Sequence, residues 1–332
     1  MDLQDQLGRG LCDLRISVTD RCNFRCRYCM PVETFGPDYH FLPREELLTF
    51  EEIVRLVRIG VSLGVRKIRL TGGEPLLRRG LADLVAMLAS VEGVQDLAMT
   101  TNGVLLAHRA EELALAGLNR VTVSLDAISP EKFAEMNGVG AKVERVLAGV
   151  DAARCFGLPV KVNAVIQRGV NEAEILPLAR WAQAASVDLR YIEYMDVGET
   201  NGWKPDEVVS GEEILSVLGE EFALEPVSPA YRGEVAKRWR YASDAGEVGL
   251  ITSVTKPFCG DCQRARLSAE GRLFTCLFAA HGHDLRSMLR HGASDEWIAR
   301  VLSGIWSTRD DRYSELRGQV DTSKAEMSYL GG

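Results

Sequence analysis

Three cysteines stand within eight residues, Cys22, Cys26 and Cys29, in the spacing C-x3-C-x2-C. Three thiols cannot pair off, because one is always left over, so a disulfide explains the group poorly. They can converge on one small object. Structural zinc wants four protein ligands, and the nearest histidine, His40, is eleven residues past Cys29. A 4Fe–4S cluster fits otherwise, since three thiolates leave one iron open to a ligand that is not protein. Buried, inert cysteines are the third reading.

A second trio, Cys259-Gly260-Asp261-Cys262 and then Cys276, has the pattern C-x2-C-x13-C. Taken alone it suits either a zinc knuckle completed by His281 or His283, or a second cluster. Arg264 and Arg266 follow at once, and on a strand both would project to one face. They are either a solvated pair on a sheet edge or a clamp for phosphates. In a clamp, each charged hydrogen bond contributes about 1.5–3 kcal/mol. Cys12 and Cys155 sit beside apolar residues and are expected in the core.

The elements that must position these groups come next. Asp13-Leu14-Arg15-Ile16-Ser17-Val18-Thr19-Asp20 reads as a strand, which puts the first trio on the loop at its C-terminal end. Thr49-Phe50-Glu51-Glu52 is a capping box opening a helix through about 63. Strands at 67–71, 96–101, 120–126, 160–165 and 189–195 alternate with helices at 80–91, 108–116, 143–156 and 172–185. Such alternation argues parallel pairing with right-handed crossovers. Six units fall short of eight, so the expected fold is α/β, a partial (β/α)6 TIM-type barrel that does not close. One site is expected at the C-terminal strand ends, where polar and glycine-rich positions gather.

Past about 198 the alternation stops. A helix at 211–220, strands at 237–241, 247–254, 265–268 and 272–276, and helices at 284–290 and 295–305 read as a smaller α+β extension. The expected division is residues 1–200 as barrel with the first trio, and 201–332 as extension with the second. The chain ends Gly331-Gly332, which is either a loose terminus or a tail without side chains that can enter a narrow site; sulfur-carrier proteins also end in Gly-Gly, but those are small β-grasp domains, unlike this chain.

Composition bounds the function. At 332 residues, 46 % hydrophobic and 26 % charged, the chain has ample apolar mass for a large core. It has no apolar run long enough to span a membrane, and its start lacks a signal peptide. A cytoplasmic location is expected, where thiols stay reduced and eight cysteines point to metal or catalysis. A net charge of −8 argues against a broad nucleic-acid or membrane surface, though a local cationic pocket for a small anion is compatible with it.

The motif C-x3-C-x2-C, with Tyr28 before its last cysteine, resembles the radical S-adenosylmethionine (SAM) signature. Further stretches carry the resemblance to one family within it. They are Ser17 to Asn23, Cys29-Met30-Pro31, Arg69-Leu70-Thr71-Gly72-Gly73-Glu74-Pro75, Thr100-Thr101-Asn102-Gly103, Ser124-Leu125-Asp126, Tyr191 to Met195, Phe258 to Cys262 and the Gly-Gly end. In that order they resemble the GTP 3′,8-cyclases of molybdenum cofactor biosynthesis over nearly the whole chain.

The resemblance implies a 4Fe–4S cluster on Cys22, Cys26 and Cys29 that cleaves SAM, and a second on Cys259, Cys262 and Cys276 that holds guanine. It implies SAM contacts at Tyr28, Gly73, Ser124 and Met195. It implies GTP contacts at Arg15, Arg69, Thr100, Lys161, Arg264, Ala265 and Arg266, with Arg264 and Arg266 serving catalysis. A 5′-deoxyadenosyl radical would take the ribose 3′ hydrogen, giving (8S)-3′,8-cyclo-7,8-dihydroguanosine 5′-triphosphate. An electron donor, hand-off to a cyclic pyranopterin monophosphate synthase and a homodimer complete what it implies, with no nucleic acid and no membrane.

Overall fold

The computed structural model describes residues 3–243, 246–319 and 323–331. Gly332, half of the expected tail motif, lies outside the described residues. The first part of the chain alternates as expected: β1 (Asp13–Ser17), α1 (Phe50–Ser62), β2 (Lys67–Thr71), α2 (Leu81–Ala89), β3 (Asp96–Thr101) and α3 (Ala110–Leu115). It continues through β4 (Arg120–Ser124), α4 (Pro130–Asn137), α5 (Val143–Cys155), β5 (Val160–Ile166), α6 (Ile175–Ala184) and β6 (Asp188–Glu193). The expected capping box is present, with the Glu52 amide on the Thr49 hydroxyl at 3.2 Å and the Thr49 amide on the Glu52 carboxylate at 2.8 Å. Helix α4 was not anticipated, although Pro130 at its first turn and the left-handed Gly138 after it are start and stop signals.

Then come α7 (Gly211–Gly219), β7 (Leu224–Val227), β8 (Lys237–Tyr241), β9 (Glu247–Ile251), β10 (Arg264–Leu267), β11 (Arg272–Phe274) and β12 (His283–Asp284). Helices α8 (Arg286–Arg290), α9 (Asp295–Ser307) and α10 (Met327–Leu330) follow. These strands do not build a sheet of their own. They extend both edges of the barrel, in the order β12-β11-β10-β1-β2-β3-β4-β5-β6-β9-β8-β7. Strand β10 pairs parallel with β1, and β9 pairs parallel with β6. The contiguous run from β10 to β9 is therefore parallel, flanked by antiparallel strands, and the barrel stays open.

Parallel strands covered on both faces read as continuous apolar runs. Those of this chain alternate instead. Leu14, Ile16, Ile68, Leu70, Val121 and Val123 pack into the core beneath the helices, while Asp13, Arg15, Lys67, Arg69, Asn163 and Arg190 line a cavity on the other face. One face of the sheet is a hydrophobic seat for helices, and the other is a polar lumen. On α1, Ile53, Val54, Leu56, Val57 and Ile59 supply the matching apolar stripe.

The loop after β2 is packed backbone to backbone against the segment that enters the first trio. Gly72 has φ 134°, and a Cβ there would stand 2.3 Å from the Thr19 carbonyl oxygen; one on Gly73 would stand 2.4 Å from that of Arg21. The close approach that these glycines permit is to the chain itself. Gly72→Ala should therefore lower the stability read from a urea unfolding midpoint by about 1–3 kcal/mol. Gly219→Ala, where a Cβ meets nothing within 4 Å, should leave the midpoint unchanged or raise it.

Candidate active site

Strand β1 delivers the chain into the loop of Cys22, Cys26 and Cys29, whose thiols are half-buried and free of disulfides. The amides of Cys29 and Met30 donate to the Cys26 carbonyl at 3.0 and 2.8 Å, folding the loop into a tight turn. The Arg25 guanidinium donates to the carbonyls of Cys22 at 2.9 Å and of Phe24 and Phe35 at 2.7 Å. From the end of β3, the Asn102 side-chain amide donates to Asn23 Oδ1 at 2.7 Å. The Tyr28 hydroxyl donates to Asp126 Oδ2 at 2.7 Å, and Asp126 Oδ1 accepts from the Val165 amide at 2.8 Å. The loop is thus tied to the upper ends of three barrel strands. Burial pushes the Cys22 thiol up to about 11 and the Cys29 thiol up to about 12. Cys26 is driven upward by burial too, then by Asp126 and the other two cysteines. Thiols so placed stay protonated at neutral pH unless metal cations offset the penalty.

The second trio lies at the opposite end of the lumen, not at the C-terminal strand ends where a single site was expected. The reason is topological. Because β10 runs parallel to β1, with Asp13 opposite Arg264, the segment that precedes β10 is at the N-terminal ends of the strands. Antiparallel β11 returns Cys276 to the same end. The five residues of β1 separate the two levels, a span of about 16 Å at ~3.3 Å per residue.

Cys259, Cys262 and Cys276 line a cavity with about 1530 Å³ of space between atoms, partly open to solvent. Seven basic side chains line it against three carboxylates, those of Asp13, Glu234 and Asp311. Registered neighbours Arg266, Arg15 and Arg69 cross it on three adjacent strands. Burial, then Arg69, brings Arg15 down to about 9, and burial brings Arg69 down to about 10. Arg266 is lowered by burial, then by Arg15 and Arg264. The Nε atoms of Arg15 and Arg69 are buried without a hydrogen-bond partner among the described residues. Burial raises the Cys262 thiol, but the guanidiniums of Arg264 and Arg309 outweigh it and pull the thiol down to about 6. Arg264 donates to that sulfur at 3.4 Å. Such a chamber suits a polyanion.

Of the residues singled out from sequence, Arg15, Arg69, Met195, Arg264, Arg266 and the second trio share this cavity. Thr100 is one bond away, its hydroxyl accepting from Arg69 at 3.2 Å. Lys161 is paired with Asp188 at 3.1 Å, at a strand start. Ala265 is fully buried and packs on the hydrophobic side of β10. Tyr28, Gly73 and Ser124 belong with the first trio at the upper strand ends. The sequence reading missed Lys67, Asn163 and Arg190, which line the cavity. The period-two alternation on β2, β5 and β6 was the signal that could have found them. Cys155 is a correction: it is exposed, because the buried stripe of α5 runs through Val143, Val146, Val150 and Ala153 and leaves it aside. Cys12 is half-buried and faces the cavity, not the core.

The tail closes over the upper part of the cavity. Met327 lines it, a Cβ on Gly331 would stand 2.3 Å from the Thr71 side chain, and the Gly331 carbonyl accepts from Arg266. Glu326 is near enough to Cys29 to help raise its thiol, after burial and Cys22.

Residues 16–182 match the family model described as the Radical SAM superfamily, and 187–315 match that described as Molybdenum Cofactor Synthesis C. The chain is 52 % identical to the GTP 3′,8-cyclase of Acidothermus cellulolyticus and 48 % identical to that of Staphylococcus epidermidis, covering 99 % of both chains in each case. Among solved structures, Streptococcus suis SuiB bound to S-adenosylmethionine superposes with a TM-score of 0.62 at 14 % identity, over 93 % of this chain and 69 % of that one. That likeness is one of fold.

Beside the first trio, Glu74 is fully buried and accepts from the amides of Leu76 and Asn102 at 2.9 and 2.7 Å and from the Thr101 hydroxyl at 2.7 Å. Burial outweighs these bonds and raises its carboxyl from 4.5 to about 7. Burial raises Asp126 from 3.8 to about 6. Between the two values the folded state binds the extra proton, so stability falls as pH rises through the window. In cluster-free protein, urea titrations should show Glu74 contributing a loss on the order of 3 kcal/mol from pH 4.5 to 7. Glu74→Gln should flatten that slope.

Proposed function

The chain belongs to the GTP 3′,8-cyclase family of radical SAM enzymes, and from that premise we propose how its residues divide the work of cyclising GTP. Residues 1–200 hold SAM and the first cluster at the upper end of the lumen. Residues 201–332 bring the second cluster to the lower end and supply the tail. The nucleotide lies between them, and the observation that carries this reading is the layer of unpaired buried guanidiniums linking the two cysteine trios. Buried cations without anions are strongly unfavourable, and a triphosphate removes that penalty.

Cys22, Cys26 and Cys29 would hold one 4Fe–4S cluster, which would supply the electron for radical cleavage of SAM, and Cys259, Cys262 and Cys276 would hold a second, which would supply a binding point for the guanine base. Both donor sets fit: each is three disulfide-free cysteines, and soft thiolates suit iron–sulfur clusters. Around SAM, Tyr28 fixes the first loop through Asp126, while Gly73, Ser124 and Met195 line the space toward the lumen. Arg15, Arg69 and Arg190, with Lys67, hold the phosphates. Arg264 and Arg266 flank the substrate on the side of the second trio, and Thr100 orients Arg69; Ala265 spaces the two arginines from the core side of β10, and Lys161, held by Asp188, stands at the rim. Fixed charge on several strands holds the ribose in one pose, which a carbon radical requires if it is to abstract only the 3′ hydrogen.

No helix among the described residues is long and apolar enough to cross a membrane. A cytoplasmic homodimer that receives electrons from a separate donor and passes its product to a cyclic pyranopterin monophosphate synthase completes the proposal.

Anaerobic reconstitution should give about eight iron atoms per chain, and incubation with SAM, GTP and a reductant should yield 5′-deoxyadenosine and a cyclised nucleotide together. Cys22→Ser should abolish both products. Cys276→Ser should keep some SAM cleavage while losing the cyclised nucleotide; equal loss of both would sink the division of labour. Arg266→Ala and Arg190→Ala should each weaken GTP binding by roughly 10–150-fold in calorimetry, whereas Lys161→Ala, already paired with Asp188, should cost less. Normal GTP binding by Arg266→Ala would refute its place at the substrate.

A further inference from the structure

The N-terminal segment before β1 carries no motif, yet it contains one of the most completely buried charges in the molecule. Arg9 is 1 % exposed and Asp5 is 7 % exposed. Asp5 Oδ1 accepts from the amides of Leu7 at 3.0 Å and Arg9 at 2.9 Å. Asp5 Oδ2 accepts from Arg9 Nε at 2.6 Å and from Arg309 Nη1 at 3.0 Å. One carboxylate therefore joins two guanidiniums from opposite ends of the chain. Burying such a triad is costly for stability alone, and an apolar cluster of similar volume would serve the fold as well or better.

What the two guanidiniums hold is specific. Arg9 Nη1 donates to the Cys259 carbonyl at 2.8 Å. Arg309 Nη1 donates to the Cys262 carbonyl at 2.8 Å, and Arg309 Nε donates to the carbonyl of Thr275, the residue before Cys276, at 3.1 Å. Each cysteine of the second trio thus has its own or its neighbour's carbonyl gripped by a rigid, permanently charged fork. The segment that carries Cys259 and Cys262 contains only a single 3₁₀ turn between them, so its own hydrogen bonds cannot fix it. Trp306 supports the arrangement from behind, its indole N–H on the Arg9 carbonyl at 2.9 Å and its ring under the Arg309 guanidinium.

We propose that Arg9 and Arg309, linked by Asp5, are positioning residues for the second iron–sulfur cluster. They set the spacing of its three thiolates through the backbone, and so the direction in which its open iron faces the nucleotide. This rests on the reading that Cys259, Cys262 and Cys276 hold a cluster.

The test uses the full chain with Cys22, Cys26 and Cys29 all changed to Ala, so that only a second cluster can form, reconstituted anaerobically with iron and sulfide. Into it go Arg309→Lys, Arg9→Lys and, as a purely structural control in the same helix, Leu302→Ala, a buried core position. The readouts are thermal unfolding, iron retained against a chelator, and the electron paramagnetic resonance spectrum of the reduced cluster. Both lysine variants should alter the spectrum and lose iron roughly 10–100-fold faster. Leu302→Ala should lower the melting temperature but keep the parent spectrum and iron retention. Should Arg309→Lys not fold, Arg9→Lys gives the same reading. Parent-like spectra and retention in the lysine variants, or a Leu302→Ala spectrum shifted as far as theirs, would overturn the positioning role while leaving the cluster assignment intact. A background chain that takes up no iron would overturn both.

Discussion

Repulsion among buried arginines inside one lumen is the constraint that the rest of the structure answers. At the starts of the strands charge is balanced, with Arg120 bidentate on Asp96 and Lys161 on Asp188. On β10, β1 and β2 the balance fails. Arg15, Arg69 and Arg266 stand side by side on adjacent strands; after burial, Arg69 lowers the basicity of Arg15, and Arg15 that of Arg266. Asp13 is a carboxylate at the root of this layer, and its Oδ1 has no hydrogen-bond partner among the described residues. A chain of net charge −8 has concentrated positive charge where solvent screening is weakest, and a polyphosphate is the ligand that such a field selects.

That layer exists only because the C-terminal segment folds back onto both edges of the barrel. Without β10 on β1, Arg264 and Arg266 would not reach the lumen, and without β9 on β6 the far wall would stop at Ile192. The same pairing sends the two cysteine trios to opposite ends of the strands. Separation along the strand axis gives a nucleotide room to lie lengthwise, base and cofactor ends apart, which two trios on one rim would not allow.

The walls are rigid where chemistry needs them rigid. Backbone packs on backbone between Gly72-Gly73 and Thr19 to Arg21, and Tyr28 is tied to Asp126. The upper mouth is covered by the tail, whose Gly331 carbonyl takes up the Arg266 guanidinium. With no side chain, Gly331 fits against Thr71 where any Cβ would collide.

Local spacing carried much of this in the sequence. C-x3-C-x2-C, Gly72-Gly73 and the alternation of strand with helix are short-range signals, and a strand such as Asp13-Leu14-Arg15-Ile16-Ser17 already says that one of its faces is polar. What the sequence could not decide was which strands become neighbours. Residues 247–254 and 265–268 read as strands of a separate extension, but their places beside β6 and β1 follow from contacts far apart in the chain. For that reason the opposite placement of the trios, the membership of Arg190 and Lys67 in the cavity, and the grip of Arg9 on the Cys259 carbonyl, 250 residues away, emerged only in the folded molecule. Charge type and period were legible one residue at a time, whereas burial and pairing belong to the tertiary structure.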